Sequence, residues 1–441
     1  MIKGLGAAGL VAITAIAVPS AVASPARVVN GASRACTDAA VGHSTIAVVK
    51  TIRVGSGPQG VAVDSADDVV YVTNADSDSM SIIDGTTATV AATVDGFSEP
   101  VGVAVNEADD IVYVANADDS SVVSISGSGR GTRTTVPIGG LGWDVAVDQD
   151  DDTVYATAAL PQGDSGSLAV IDGTRQSLSS VVAFAGLSPL AVAVSDRSNR
   201  IYVTGQNTVG AAALDGVTLA IDDTIPLVGS YWDVAIHEED DTAYFPNYQE
   251  QGSFAIVSGR TSQVMSNEPL AWPWGVAVSQ AADLVYVARG PTNTVSVLDA
   301  TTGAQAIPSL AVGRFPIAIA VDQSGPNVGT VYVANSDDIS VSVLGSVRPS
   351  LTSSRSRPGS KLVVAVDAPQ ADYDLASRAV SAVCFVREGG ATGTLGGSVT
   401  ARAGDRWAVT VPSRLRGGTY RVVVTFDGGL QARAGRITLT R

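Results

Sequence analysis

Val70-Tyr71-Val72-Thr73-Asn74 is the stretch on which the fold turns. The same apolar run around a tyrosine recurs at Val112-Tyr113-Val114, Val154-Tyr155-Ala156, Ile201-Tyr202-Val203, Ala243-Tyr244-Phe245, Val285-Tyr286-Val287 and Val331-Tyr332-Val333. Successive tyrosines lie 42, 42, 47, 42, 42 and 46 residues apart. A near-fixed period of this length marks an architecture in which each unit packs on its neighbours. Each unit opens with an apolar run such as Gly60-Val61-Ala62-Val63-Asp64. An acidic turn, the tyrosine strand, a polar turn, and third and fourth strands such as Ser81-Ile82-Ile83-Asp84-Gly85 and Thr89 to Val94 follow. Short β-branched runs punctuated by Asp, Asn, Gly and Ser are hairpin chemistry. The first two strands lack polar alternation, so both of their faces are expected to be buried.

Four strands per unit and seven units predict an all-β, seven-bladed propeller. Only six fourth strands follow the seven tyrosine strands. The missing one is expected at the other end, where Ile46 to Val54 would complete the seventh blade and remove two sheet edges. Small first-strand residues suit a crowded axis. The tyrosines would fill the wider space outside it, with their hydroxyls hydrogen-bonded.

Tyr71-Val72-Thr73-Asn74, Tyr113-Val114-Ala115-Asn116 and Tyr332-Val333-Ala334-Asn335 resemble the motif of YVTN-repeat, YncE-like propellers. The resemblance covers residues 45–346, and Ala158 and Gly205 depart from it where Asn would stand. It implies a fold rather than an activity, because one fold hosts many functions.

The remaining chain frames this ring. Lys3, the apolar run Leu5 to Val18 and Ala21-Val22-Ala23 read as a signal peptide over residues 1–23. The run is shorter than the roughly 20 residues a membrane span needs. Residues 24–44 form an extension, 45–346 the propeller, and 347–359 a Ser/Arg/Pro-rich linker. Residues 360–441 are a strand-rich unit whose Gly417 to Val424 resembles a late strand of bacterial immunoglobulin-like domains, so a small β-sandwich is expected there. The expected protein is secreted or held at the cell envelope as a monomer, with no transmembrane anchor. Cys36 and Cys384, the two cysteines, could pair in an oxidising compartment or stay separate.

The chain of 441 residues has net charge -16, which argues against nucleic acid as a partner. Residues 349–441 hold 13 basic and 6 acidic side chains, which leaves -23 on residues 1–348. An acidic body and a basic tail imply different surroundings for the two parts.

Familiar catalytic motifs fail on context. Gly55-Ser56-Gly57-Pro58-Gln59-Gly60 precedes a strand rather than a helix. Gly163-Asp164-Ser165-Gly166 has only His43 and His237 in the chain to serve as a base. Asp148, Asp150 and Asp152 have calcium-loop spacing, but Thr153 and Ala159 stand where Gly and Glu belong. No zinc spacing occurs and no metal-ligating residues stand out; the cofactor is unknown from sequence, as is whether a metal sits in the channel. The acidic turns are expected to serve solubility.

The residue before each first strand should ring the channel mouth, and reads Gln59, Val101, Trp143, Leu190, Trp232, Trp274 and Ile317. The next position reads Gly60, Gly102, Asp144, Ala191, Asp233, Gly275 and Ala318. Ends of second strands add Asn74, Asn116, Asn247, Asn335 and, in place of Asn, Arg289. Aromatic walls with a few convergent polar groups suit a ligand. The expected function is therefore a non-enzymatic binding module for a glycan, peptide or protein, using these Trp, Asp, Asn and Arg residues. One alternative is a lyase- or lactonase-like enzyme relying on Asp144, Asp233 and Arg289, although no His occupies the channel register that virginiamycin-type lyases use. Another is a passive surface protein whose tryptophans only plug the channel.

Overall fold

The computed structural model describes residues 45–160, 165–206, 210–351, 355–367, 380–387, 394–403, 406–413, 415–416, 418–426 and 431–440. The expected signal peptide, the 24–44 extension, His43 and Cys36 lie outside the described residues. Six separate four-stranded antiparallel sheets succeed one another along the chain. Blade one is Pro58–Asp64, Val69–Asn74, Ser79–Asp84 and Thr89–Asp95. The seventh blade takes Pro316–Val321, Val331–Asn335 and Ser340–Leu351, and its fourth strand is Thr45–Arg53 from the other end. Thr45 pairs with Val347 and Arg53 with Ser340, so the expected closure is present. Ala47, Val48, Val49 and Ile52 bury their side chains in it.

The tyrosine register has a plain packing cause. In all seven blades the tyrosine lies directly opposite an alanine of the first strand: Ala62, Ala104, Ala146, Ala193, Ala235, Ala277 and Ala320. A methyl group across the ladder leaves room for the ring. Every one of these tyrosines is buried. The hydroxyl expectation holds for Tyr244, which donates to Ala300 O at 2.8 Å. It fails for Tyr113 and Tyr202, whose hydroxyls are buried without a partner among the described residues.

On the face of the first-to-second-strand turns, side chains link each blade to the next. Ser65 N donates to Glu107 Oε1 (3.0 Å), Glu107 N to Gln149 Oε1 (3.0 Å) and Gln149 N to Asp196 Oδ1 (3.2 Å). Ser195 Oγ donates to Glu238 Oε2 (2.7 Å), Glu238 N to Gln280 Oε1 (3.0 Å), Gln280 N to Gln323 Oε1 (3.2 Å) and Gln323 N to Ser65 Oγ (3.0 Å). The belt returns to its start. These turns therefore clamp the ring, beyond the solubility role expected of them. Burial raises the carboxyls of Glu107 and Glu238 and pushes Asp196 up to about 6.

Ser340–Leu351 runs unbroken into the stretch read as a linker, where Arg348 to Leu351 pair with Asp367 to Val364. The remaining C-terminal strands continue that sheet. Thr394–Ala403 pairs with both Val380–Arg387 and Arg406–Thr410, and Gly418–Phe426 pairs with Gln431–Leu439. Phe385, Trp407, Val409, Val422 and Ile437 are buried in one cluster with the seventh blade. Cys384 is disulfide-bonded.

Candidate functional site

The start of each first strand meets the end of the second, as in Pro58 with Asn74, Pro100 with Asn116 and Pro316 with Asn335. The ladder slips at this point, between Pro58 and Val61, Pro100 and Val103, Gly142 and Val145, and Pro189 and Val192. The slip is a bulge, which re-aims side chains. Trp143 and Asp144 occupy it in blade three, and Trp232 and Asp233 stand in the same register of blade five.

The rings meet. Trp143 packs edge-on against Trp232 with centroids 6.2 Å apart, and Trp232 lies 5.1 Å from Trp274. Tyr248 sits 4.0 Å from Trp274 and 5.4 Å from Trp272, and Phe315 is 5.5 Å from Trp274. Six aromatic side chains thus form one continuous, half-buried platform. Gly290 makes part of it possible, since a Cβ there would lie 3.0 Å from Trp274 Nε1. Trp274 Nε1 is buried with no acceptor among the described residues.

Two of the rings are held at a conformational cost. Trp272 and Phe315 have φ of 56° and 53°, just before Pro273 and Pro316. Blade one has Gly57, with φ of 64°, just before Pro58. Left-handed backbone costs a bulky side chain about 1–2 kcal/mol.

Asp144 and Asp233 lie at the same register on the channel wall. The inner edge of a first strand has no further strand to accept its N–H groups. Val192 N donates to Asp144 Oδ2 at 3.0 Å, and Val276 N to Asp233 Oδ2 at 2.7 Å, so each carboxylate reaches the next blade. Val234 N adds a 2.8 Å bond to Asp233 Oδ1. Gly102 leaves space for this, because a Cβ there would meet Asp144 Cα at 2.6 Å. Burial pushes Asp144 up to about 6. Burial, and then the charge of Asp144, pushes Asp233 up to about 8.

Arg289 is half-buried at the rim, where its Nε donates to Ala271 O at 2.9 Å and burial lowers its guanidinium pKa. The four asparagines do not join the mouth. Asn74 Nδ2 donates to Ser79 and Ser81, Asn335 Nδ2 to Ser340 and Ser342, and Asn116 Nδ2 to Ser121. Asn247 accepts from Ser230 N and donates to Val228 O. All four are buried. The extended strand end buries the amide under the following turn, so these residues shape turns and are corrected from ligand contacts to scaffold. Tyr248 and Trp272 were absent from the expected set. They lie in loops outside the strand register, and their aromatic character was the available signal.

A second arrangement lies on the belt face. The carboxylates of Asp64, Asp67 and Asp110 bring oxygens within 4.8 Å of one another between blades one and two. At the next junction the amide of Asn106 donates to Asp109 (3.3 Å) and Asp152 (2.9 Å). Between blades five and six His237 stands between Asp240 (3.0 Å) and Asp283 (3.3 Å).

The fold is that of a seven-bladed β-propeller with additional β-strands at its C-terminal end. No protein-family model matches the chain, and neither does any curated protein. Among solved structures it is similar to a chain of Kuenenia stuttgartiensis hydrazine synthase, at 15% identity and a TM-score of 0.58, over 65% of this chain and 95% of that one. That likeness concerns the fold alone.

Proposed function

We propose that the ring is a binding module of the YVTN, YncE-like kind, exported to the cell envelope or beyond, whose partner docks on the aromatic platform. The C-terminal strands form an immunoglobulin-like attachment unit. The carrying observation is the platform itself: six half-buried rings from blades three, five, six and seven on one face. A contiguous aromatic surface left partly open to solvent suits an interaction site. The platform suits stacked sugar rings or an apolar peptide edge, with Arg289 at its rim for an anionic group.

Four of the five tryptophans, Trp143, Trp232, Trp272 and Trp274, lie on the platform. A Trp407→Phe variant therefore makes intrinsic emission a direct report of the mouth. Titration with envelope glycans, peptidoglycan fragments and extracellular peptides should give a saturable emission shift for one class. A full panel without any shift counts against the reading.

A catalytic reading of the same mouth is favoured by one observation, the splitting of Asp144 and Asp233 to about 6 and about 8. Turnover that survives replacement of both would exclude it. Backbone N–H groups engage both carboxylates, which supports binding as the primary role.

A further inference from the structure

A sheet edge exposes unpaired N–H and C=O groups that invite another strand, and charge or proline usually guards it. Six of the seven outer strands follow this rule. Blade two has Arg133 and Pro137, blade four Asp222 and Asp223, blade five Glu268 and Pro269, blade six Pro308, and the closing strand Lys50 and Arg53. Blade one has Asp95 at its end, and its neighbours cover its flanks. Lys50 Nζ donates to Thr87 O at 2.7 Å, and Arg133 Nη1 to Asp95 O and Gly96 O at 3.2 and 2.9 Å.

Blade three breaks the rule. Its outer strand, Ser177-Leu178-Ser179-Ser180-Val181-Val182-Ala183-Phe184-Ala185, has nine residues with neither charge nor proline, and it ends its sheet. Leu178 is 43% and Val181 50% exposed. Ala183 and Ala185 are exposed too. Large exposed apolar side chains concentrate nearby, with Leu160 on blade three and Val217, Ile221 and Val228 on or beside blade four.

We propose that this strand pairs antiparallel with the same strand of a second copy, in a two-fold dimer that joins two blade-three sheets edge to edge. The reading departs from the monomer expected from sequence. Two arguments select a second copy as the occupant. A two-fold axis through a strand sets its residues near their own equivalents, so any charge would face a like charge. Only this strand and that of blade six avoid that conflict, and Pro308 withholds an N–H from any new ladder on blade six, in a chain whose net charge of -16 otherwise keeps copies apart. The alternation also fits. Val182 and Phe184 face the cluster shared with blade four, while Val181 pairs with Ala169 and Leu178 with Ile171 on the other side. An axis through Val182 matches Val181 with Ala183 and Ser180 with Phe184, and antiparallel partners must share a face.

Sedimentation velocity on the full mature chain tests this over a concentration series reaching about 100 µM. The wild type should show a monomer–dimer equilibrium. Val181→Lys and Ala183→Lys, both at exposed positions, should each weaken association at least about tenfold with unchanged melting temperature. Val90→Lys, an exposed position on the guarded edge of blade one, should leave association as it was. A wild type that stays monomeric throughout overturns the proposal, and so does a dimer indifferent to both blade-three lysines.

Discussion

Replacing both channel carboxylates, Asp144→Asn with Asp233→Asn, should flatten the pH dependence of stability. Unfolded aspartates ionise near pH 3.9. In the folded ring Asp144 is raised to about 6 and Asp233 to about 8, so the native state keeps protons that the unfolded chain has released. Stability from such groups is fully present below the unfolded pKa and is lost as pH rises through the folded value. Each retained proton contributes a slope of about 1.4 kcal/mol per pH unit. Between pH 5 and 7 Asp233 alone supplies roughly 2–3 kcal/mol, and its partial solvent exposure moves that toward about 2. Asp64, Glu107, Asp148, Asp196, Glu238 and Asp322 are raised as well, but they are common to both proteins and cancel in the difference. Asparagine has one acceptor oxygen for the N–H groups that each carboxylate holds, so the variant starts from a lower baseline without acquiring a slope. Urea unfolding at pH 5, 6 and 7 measures this. The wild type should lose about 3 kcal/mol more than the variant across that range, about 2 from Asp233 and about 1 from Asp144. Parallel losses would refute the buried, coupled pair.

A deletion and a substitution test the ring further. Deleting residues 45–53 removes Val48, Val49 and Ile52 from the seventh blade; at about 1.5–3 kcal/mol each this rivals the whole stability of a typical domain. The variant should melt far below wild type or fail to fold, and an unchanged melting curve would contradict closure by this strand. Asp64→Asn should stabilise by roughly 1 kcal/mol at pH 7, because it copies the Asn106 arrangement between two carboxylates and removes a charge that burial disfavours. The gain should shrink as pH falls and Asp64 protonates. A loss of stability at neutral pH in thermal melts would show the junctions to be inequivalent.

Local periodicity made most of the fold legible. Seven tyrosines in one register, each opposite an alanine, carry the blade in the sequence itself. The missing fourth strand could be placed by counting. The belt from Ser65 to Gln323 was not legible, because Glu, Gln, Asp and Ser share its positions and only their geometry unites them. The mouth was half legible. Trp143, Trp232 and Trp274 share a register, whereas Tyr248 and Trp272 join from loops whose course sequence does not fix. Asn74, Asn116, Asn247 and Asn335 misled, since a residue at a strand's end can face the mouth or fold under its own turn. The side-chain hydrogen bonds to Ser79, Ser121, Val228 and Ser340 decided that.

The central claim is that the aromatic platform holds the partner. Calorimetric titration of the glycan or peptide class found by tryptophan emission, into wild type and into Trp143→Ala with Trp232→Ala and Trp274→Ala, tests it most directly. Affinity should fall at least about a hundredfold, near 3 kcal/mol for the rings together, while the ring stays folded at 25 °C. Undiminished affinity in a folded triple variant would contradict the account and leave the tryptophans as a plug.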